Sequence, residues 1–234
     1  MRRLETVTSP TVFPLYEDGI ENKTVVIIDI LRATTTMVWA FHNGIKCIKP
    51  VLHSHEALAE QANGYLAAAE REGQIVEGFD MGNSPRNYNR EDIEGKKVAL
   101  TTTNGTLACH KAINAKRILI GSFLNKNAII ETLKNEEGDV LLFCAGWKGK
   151  LNLEDTLYAG ALAAGCANEF EIEDDSSLAA MDLWHIAKGD LKRYLQKASH
   201  VKRFERLENY NDLSFSMQQN ITEVVPEFKN NIIQ

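Results

Sequence analysis

Apolar runs of strand length recur along the first two thirds of the chain, separated by segments with helical patterning. "TVVIIDI" (24–30), "IKCIKPV" (45–51), "GQIVEG" (73–78), "KKVALT" (96–101), "KRILIGS" (116–122) and "GDVLLFCAG" (138–146) each predict a strand. Between them, "TTTMVWAFHNG" (34–44), "SHEALAEQANGYLAAAER" (54–71), "NGTLACHKAIN" (104–114) and "LNKNAIIETLKNEEG" (124–138) predict helices. The alternation predicts an α/β fold: βαβ units forming a mostly parallel sheet with helices on both faces. Helix ends agree, since Ser54 with Glu56 and Ala57 opens the second helix, and Gly44, Gly73 and Gly138 close others.

After Gly146 the pattern changes. "NLEDTLYAGALAAGCANEF" (152–170) reads as a long helix rich in Ala and Leu, and 176–207 continues as helices without a convincing strand. No Pro- or Gly-rich linker precedes this part, so the expectation is a single domain, 1–234, whose residues 150–234 form a mainly helical cap.

A chain of 234 residues can bury roughly 70–75% of its unfolded surface without a disulfide or metal staple. A net charge of -6 argues against non-specific nucleic-acid binding, which rests on surplus Lys and Arg. Cys47, Cys109, Cys144 and Cys166 form no C-x-x-C pair and read as buried apolar fillers. The two arginines of "MRRLETVTSP" are followed by no apolar h-region, and no run approaches the length of a membrane span. The expected setting is cytoplasmic, with a small ligand as partner and neither nucleic acid nor membrane. The small residues of "AGALAAGCA" suit close helix packing, either within the chain or in a homo-oligomer.

In parallel sheets, ligands bind where the carboxyl ends of strands lead into helix starts. Four places qualify: Asp29 to Thr36, Glu77 to Pro85, Thr101 to Thr106, and Cys144 to Asp155. Two of them carry a threonine triplet. Thr is a poorer helix former than Ala by about half a kilocalorie per mole, so something must offset three in succession. Capping needs one hydroxyl; two triplets suit an anion cradle made of hydroxyls, backbone N–H groups and the helix dipole. Asn104 and Gly105 in "TTTNGT" add the freedom that turns N–H groups inward.

Asp29 ends an apolar strand and Arg32 follows three positions later, a pairing suited either to a metal-bound phosphate ester or to a structural ion pair. "EGFDMGNSP" adds Glu77, Asp80, Asn83 and Ser84 in a turn-rich loop, where acids also serve simply in turns. Glu154 and Asp155 stand in the first turn of the long helix, where the dipole favours them in any case. Familiar phosphate motifs do not fit. Gly146 to Gly149 is too short for a P-loop, Leu151 follows Lys150 where Ser or Thr is needed, Leu31 replaces the second acid of an aspartyl-phosphate site, and Lys150 stands where a cysteine phosphatase needs Arg. Metal-assisted attack by water remains.

"VVIIDILRATTTMVWAFHNGI", "EGFDMGNSP", "LTTTNGT", "GSFLN", "CAGWKGKLNLEDTLYAGAL" and, more loosely, "VVP" together resemble the 2-phosphosulfolactate phosphatase family of coenzyme M biosynthesis, in that family's order and over most of the chain. The resemblance implies an Mg²⁺-dependent hydrolase of 2-phospho-3-sulfolactate on an α/β fold of family-specific topology. It marks Asp29, Arg32, Thr34 and Thr35; Glu77, Asp80, Asn83 and Ser84; Thr102, Thr103, Asn104, Gly105 and Thr106; and Gly146, Glu154 and Asp155. On this reading Asp29 with Glu154 or Asp155 holds Mg²⁺, Arg32 and the "TTTNGT" loop bind phosphate oxygens, and Glu77 or Asp80 orients water. One departure is that "AAEREG" stands where the family often has Gly-Glu-Arg, which leaves the role of Glu70 open. The rival readings are a phosphatase for another small phosphorylated acid and a non-catalytic binding protein for such anions.

Other candidates are weaker. His53, His55 and His110 read as structural or solvent-facing; Trp184 and His185 either line the site or pack an amphipathic helix; "HVKRFERL" reads as a solvated helix face.

Overall fold

A computed structural model describes residues 2–71, 74–206 and 210–234. Two sheets are present rather than one. The first is wholly parallel and contains β1 (Arg2–Val7) and β2 (Thr24–Ile28). The second is built around β3 (Cys47–Val51), β4 (Tyr65–Arg71), the short β5 (Gln74–Ile75) and β6 (Lys97–Thr101). β7 (Arg117–Gly121), β8 (Val140–Cys144) and β9 (Phe170–Glu171) complete the first sheet in the order β7-β2-β8-β1-β9. β10 (Phe228–Lys229) and β11 (Ile232–Ile233) add antiparallel strands to the second, giving β10-β11-β3-β6-β4-β5.

Side chains alternate between two cores as the pleat requires. Val26, Ile28, Leu142 and Cys144 face one side of the first sheet. There they meet α4 (Lys126–Lys134), α5 (Leu153–Cys166), α6 (Asp175–Ala187) and the shorter α7 (Leu191–Leu195), α8 (Ser199–Arg206) and α9 (Tyr210–Ser216). Val25, Ile27, Leu141 and Phe143 face the other side, sharing a core with Ile48, Val98 and Leu100 of the second sheet. α1 (Ala33–His42) and α3 (Gly105–Lys111) contribute Met37, Val38, Ala108 and Cys109 to that same core. α2 (Ser54–Ala59) covers the far face of the second sheet through Ala57, packed with Val51, Ala67 and Ala99. The α/β class and the mostly parallel sheet are as the sequence predicts; the second sheet is an addition.

The largest local correction falls in 54–71, where one helix is expected. α2 stops at Ala59, a 3-10 turn runs to Asn63, Gly64 adopts φ +77°, and the chain leaves as β4. Ala67, Ala68 and Ala69 are excellent helix formers, yet they pair in parallel with Ala99, Leu100 and Thr101. Ladder formation and burial of three methyls between helical layers outweigh the propensity. "GQIVEG" forms strand only at 74–75, and the charged N-terminal stretch inserts as β1 between β8 and β9. In the C-terminal third, expected to be mainly helical, β9, β10 and β11 are short strands. Gly73 and Leu207 lie outside the described residues.

The "AGALAAGCA" residues are largely buried within the chain. A Cβ on Gly160 would lie 2.0 Å from the Ala180 carbonyl oxygen, so α5 and α6 cross at backbone contact there. Among the described residues, no helix is long and apolar enough to cross a membrane.

Candidate active site

Register puts Ile28 beside Cys144, so the residues leaving β2 and β8 emerge at one edge of the first sheet. In the second sheet, Thr101 stands level with Ala69 and Val51, and the loop after β6 leads into α3 between the sheets. The site is built where these exits meet.

Asp29 is the first residue past β2 and is buried. The backbone N–H groups of Ala33, at the start of α1, and of Gly105, at the start of α3, favour the charged form of its carboxylate. One carboxylate thus stands at the openings of two helices, as the dipoles favour. Gly105 permits the approach: a Cβ there would lie 2.5 Å from the Ala33 Cβ and 3.0 Å from Asp29 Oδ2. Burial raises the Asp29 carboxyl to about 6, assisted by the Glu154 charge and opposed by His200 and the two N–H groups.

The threonine hydroxyls answer mainly to the chain itself. Asp29 N–H donates to Thr34 Oγ1 (3.0 Å), Thr35 Oγ1 donates to the Ile30 carbonyl (2.9 Å), and Thr36 Oγ1 donates to the Asn83 carbonyl (2.8 Å). In the second triplet, Thr106 Oγ1 donates to the Thr102 carbonyl (2.7 Å) while Thr106 N–H donates to Thr102 Oγ1 (3.1 Å). These bonds order the loops. The donors drawn toward Asp29 are main-chain N–H groups, whereas Thr103 is exposed and Asn104 half-buried.

On the β8 side, Gly146 (φ +63°) begins a tight hairpin in which Trp147 and Lys150 exchange backbone bonds of 2.9 and 3.1 Å. A Cβ on Gly146 would lie 2.4 Å from the Lys150 carbonyl oxygen. Asn152 caps α5 by accepting the Asp155 N–H (3.2 Å). Asp155 then returns its carboxylate to the strand exits, Oδ1 accepting from Ile30 N–H (2.8 Å) and Oδ2 from Gly146 N–H (3.0 Å). Burial pushes its carboxyl well above the usual range, with Asp29 and Glu154 adding like charge and the two N–H groups opposing.

Glu154 is fully buried and bonds one oxygen, Oε1, to His200 Nδ1 (2.6 Å). Its other oxygen, Oε2, has no hydrogen-bond partner among the described residues. The His200 ring stacks on Trp147, centroids 5.1 Å apart. Sequence reasoning passed over His200 because it opens a basic run; the helix instead turns His200 and Val201 inward while Lys202 is exposed.

Arg32 is buried beside this centre but is not an uncommitted anion receptor. Its Nη2 pairs with Glu70 and its Nη1 with Asp212, and the peptide bond preceding it is cis. Asp212 accepts from Ser84 Oγ as well (3.0 Å). Asn83, anchored by Thr36, carries a buried Oδ1 without a partner among the described residues. Asp212 was invisible in the sequence: no motif or spacing distinguishes it. Glu70 is the acid whose role "AAEREG" left open, and the pairing with Arg32 gives it one.

The structure does not bring the other two loop acids into these contacts. Asp80 Oδ2 accepts from Ala67 N–H (2.8 Å) and Gln61 Nε2 (3.0 Å), and Glu77 sits in an exposed turn. His53 and His55 stack on each other in the open, and His110 meets the Pro50 carbonyl. Trp184 packs against Phe123 in the core while His185 is exposed.

Among the described residues, no three Asp, Glu, His or Cys side chains converge as a ready-made metal cage. Mg²⁺ rarely needs one, since it takes one or two carboxylates and completes its shell with water and phosphate oxygens. The orphan Oε2 of Glu154 and the buried Asp29 carboxylate are donors of that kind.

An α/β enzyme with buried carboxylates at converging strand exits is the class defined by this fold and centre. A profile of the family described as 2-phosphosulpholactate phosphatase matches residues 12–231. Proteins named probable 2-phosphosulfolactate phosphatase are similar over nearly the full length. That of Thermotoga maritima is 39% identical over 91% of this chain and 92% of its own. That of Clostridium tetani is 36% identical over 93% and 94%, and that of Caldanaerobacter subterraneus subsp. tengcongensis 34% over 97% and 96%. The chain belongs to the 2-phosphosulfolactate phosphatase family.

Proposed function

We propose that this protein hydrolyses 2-phospho-3-sulfolactate to 3-sulfolactate and phosphate with Mg²⁺ as cofactor. The observation that carries the reading is the gathering of Asp29, Glu154 and Asp155, all buried and mutually repelling, next to N–H groups at two helix starts. A polyanionic ester is tolerable there only with a cation between it and the acids.

Asp29 and Glu154 Oε2 would hold the metal, which when bound neutralises and polarises the phosphate. Asp155 serves differently, because both its oxygens are engaged: it locks the Ile30 and Gly146 backbones and so fixes the two strand exits. Arg32, Ser84 and the 102–106 loop orient the ester. Neither loop acid is assigned the attacking water: Asp80 is tied to Ala67 and Gln61, and Glu77 lies in an exposed turn.

The test is phosphate release by purified protein from phosphosulfolactate, phospholactate and phosphoglycolate, with Mg²⁺ and then with chelator. Preference for the sulfonated ester supports the assignment. Release that survives chelation or Asp29→Asn rejects the metal role, and a ligand-induced thermal shift without product would favour a binding protein.

A further inference from the structure

Asp212 comes from α9, outside every motif in the sequence, yet it touches two site residues with one carboxylate: Oδ2 pairs with Arg32 Nη1 and Oδ1 accepts the Ser84 hydroxyl at 3.0 Å. It is 3% exposed. Glu70 takes Arg32 from the other side, through Nη2. We propose that Asp212 is a positioning residue for the phosphatase reaction, holding the Arg32 guanidinium and the Ser84 hydroxyl as one unit against the substrate.

Stability is a poor explanation for the arrangement. Two carboxylates around one guanidinium leave a negative surplus in a buried place, and buried ion pairs are often no more stable than apolar replacements. Geometry is what they supply. Arg32 is the residue from which α1 starts, three positions after Asp29, so its side chain would otherwise choose among many rotamers. Ser84 lies in a loop whose other anchor is Thr36 on the same helix, through the Asn83 carbonyl. Asp212 closes that ring from the far side: α1, the 81–88 loop and α9 are joined through one side chain. Asn83, whose carbonyl takes part in that ring, has a buried Oδ1 that finds no hydrogen-bond partner among the described residues.

The inference rests on the proposed reaction, and the experiment separates the two. Asp212→Asn keeps shape and can still accept from Ser84, but loses the charge that grips Arg32. Expected are a kcat/KM for phosphosulfolactate lowered roughly thirtyfold, chiefly through KM, and a melting temperature within about 3 °C of wild type. Ser84→Ala combined with it should cost less than the product of the single effects, because both act through one unit. Wild-type kcat and KM in a folded Asp212→Asn protein, or effects that simply multiply, overturn the proposal. If that variant does not fold, Asp212→Glu decides: charge retained but displaced by a methylene should still raise KM, and unchanged kinetics overturn it. Should wild type leave phosphosulfolactate intact, the reaction falls, and calorimetry with inorganic phosphate and Mg²⁺ judges Asp212 alone. A Kd weakened about tenfold in Asp212→Asn supports it; equal binding, or none by either protein, overturns it.

Discussion

The main-chain N–H of Gly105 reaches the carboxylate of Asp29, although the two residues belong to different sheets' connections and lie 76 positions apart. The approach is so close that a single methyl group has nowhere to go: 2.5 Å separates its position from the Ala33 Cβ. The Ala33 Cβ is fixed to the backbone at the start of α1 and cannot rotate away. Gly105→Ala should therefore push the starts of α1 and α3 apart. Overpacking of this kind costs about 1–3 kcal/mol, and a misplacement near 1 Å in a site costs on the order of a hundredfold in rate. A folded variant with nearly normal phosphate release would show that the Asp29–Gly105 contact is not part of the working site.

His200 gives Glu154 the one hydrogen bond that its fully buried carboxylate makes. His200→Ala, measured with chelator present, should lower stability by about 3–5 kcal/mol, as removal of one member of a buried pair does. Glu154→Gln added to that variant should recover part of the loss, since it removes the stranded charge. Denaturant unfolding of the three proteins checks the order. A double variant less stable than His200→Ala would mean that the stacking of His200 on Trp147, rather than the charge pair, carries the energy.

What the sequence makes legible follows from how local each signal is. β2 and β8 are continuous apolar runs buried on both faces, so "TVVII" and "VLLFC" declare themselves without help. Asp29 was legible for the same reason, as the acid on which an apolar run ends. Ala67 to Ala69 mislead because a parallel partner 32 residues on overrides a propensity that is purely local. The threonines are legible as unusual but not in role; nothing in "TTT" says that Thr35 bonds the Ile30 carbonyl or that Thr36 reaches Asn83. His200 and Asp212 escape altogether. Their importance lies in contacts across 46 and 180 positions, and the short helices that carry them look like solvated surface in sequence.

Gly160 should prove as intolerant as any residue outside the site. Its missing side chain would meet the backbone of α6, with the Ala180 carbonyl oxygen at 2.0 Å and its carbon at 2.4 Å, so no rotamer change relieves the clash. Gly160→Ala must separate α5 from α6 and open the core containing Leu157, Ala161 and Trp184. The helix-propensity gain of about 1 kcal/mol is the smaller effect, and a loss of about 3 kcal/mol or an insoluble product is expected from overpacking against backbone. A soluble variant melting at or above wild type would show that the two helices slide apart freely.

Metal binding should depend on pH through Asp29. Its carboxyl is raised to about 6 in the folded, metal-free protein, chiefly by burial, whereas the unfolded chain titrates at the ordinary value of 3.8. Between those values the folded state holds a proton that the unfolded state has lost, so this group's contribution to stability falls as pH rises through the window and is flat above it. A Mg²⁺ ion held by Asp29, as proposed, would compete with that proton. At pH 5 about a tenth of Asp29 is ionised, so the affinity for Mg²⁺ should be about tenfold weaker than at pH 7.5. Thermal shifts at matched sub-saturating Mg²⁺ should accordingly be larger at pH 7.5 than at pH 5, and Asp29→Asn should abolish both the shift and its pH dependence. Equal shifts at the two pH values, or a shift that persists in Asp29→Asn, would place the cation away from Asp29.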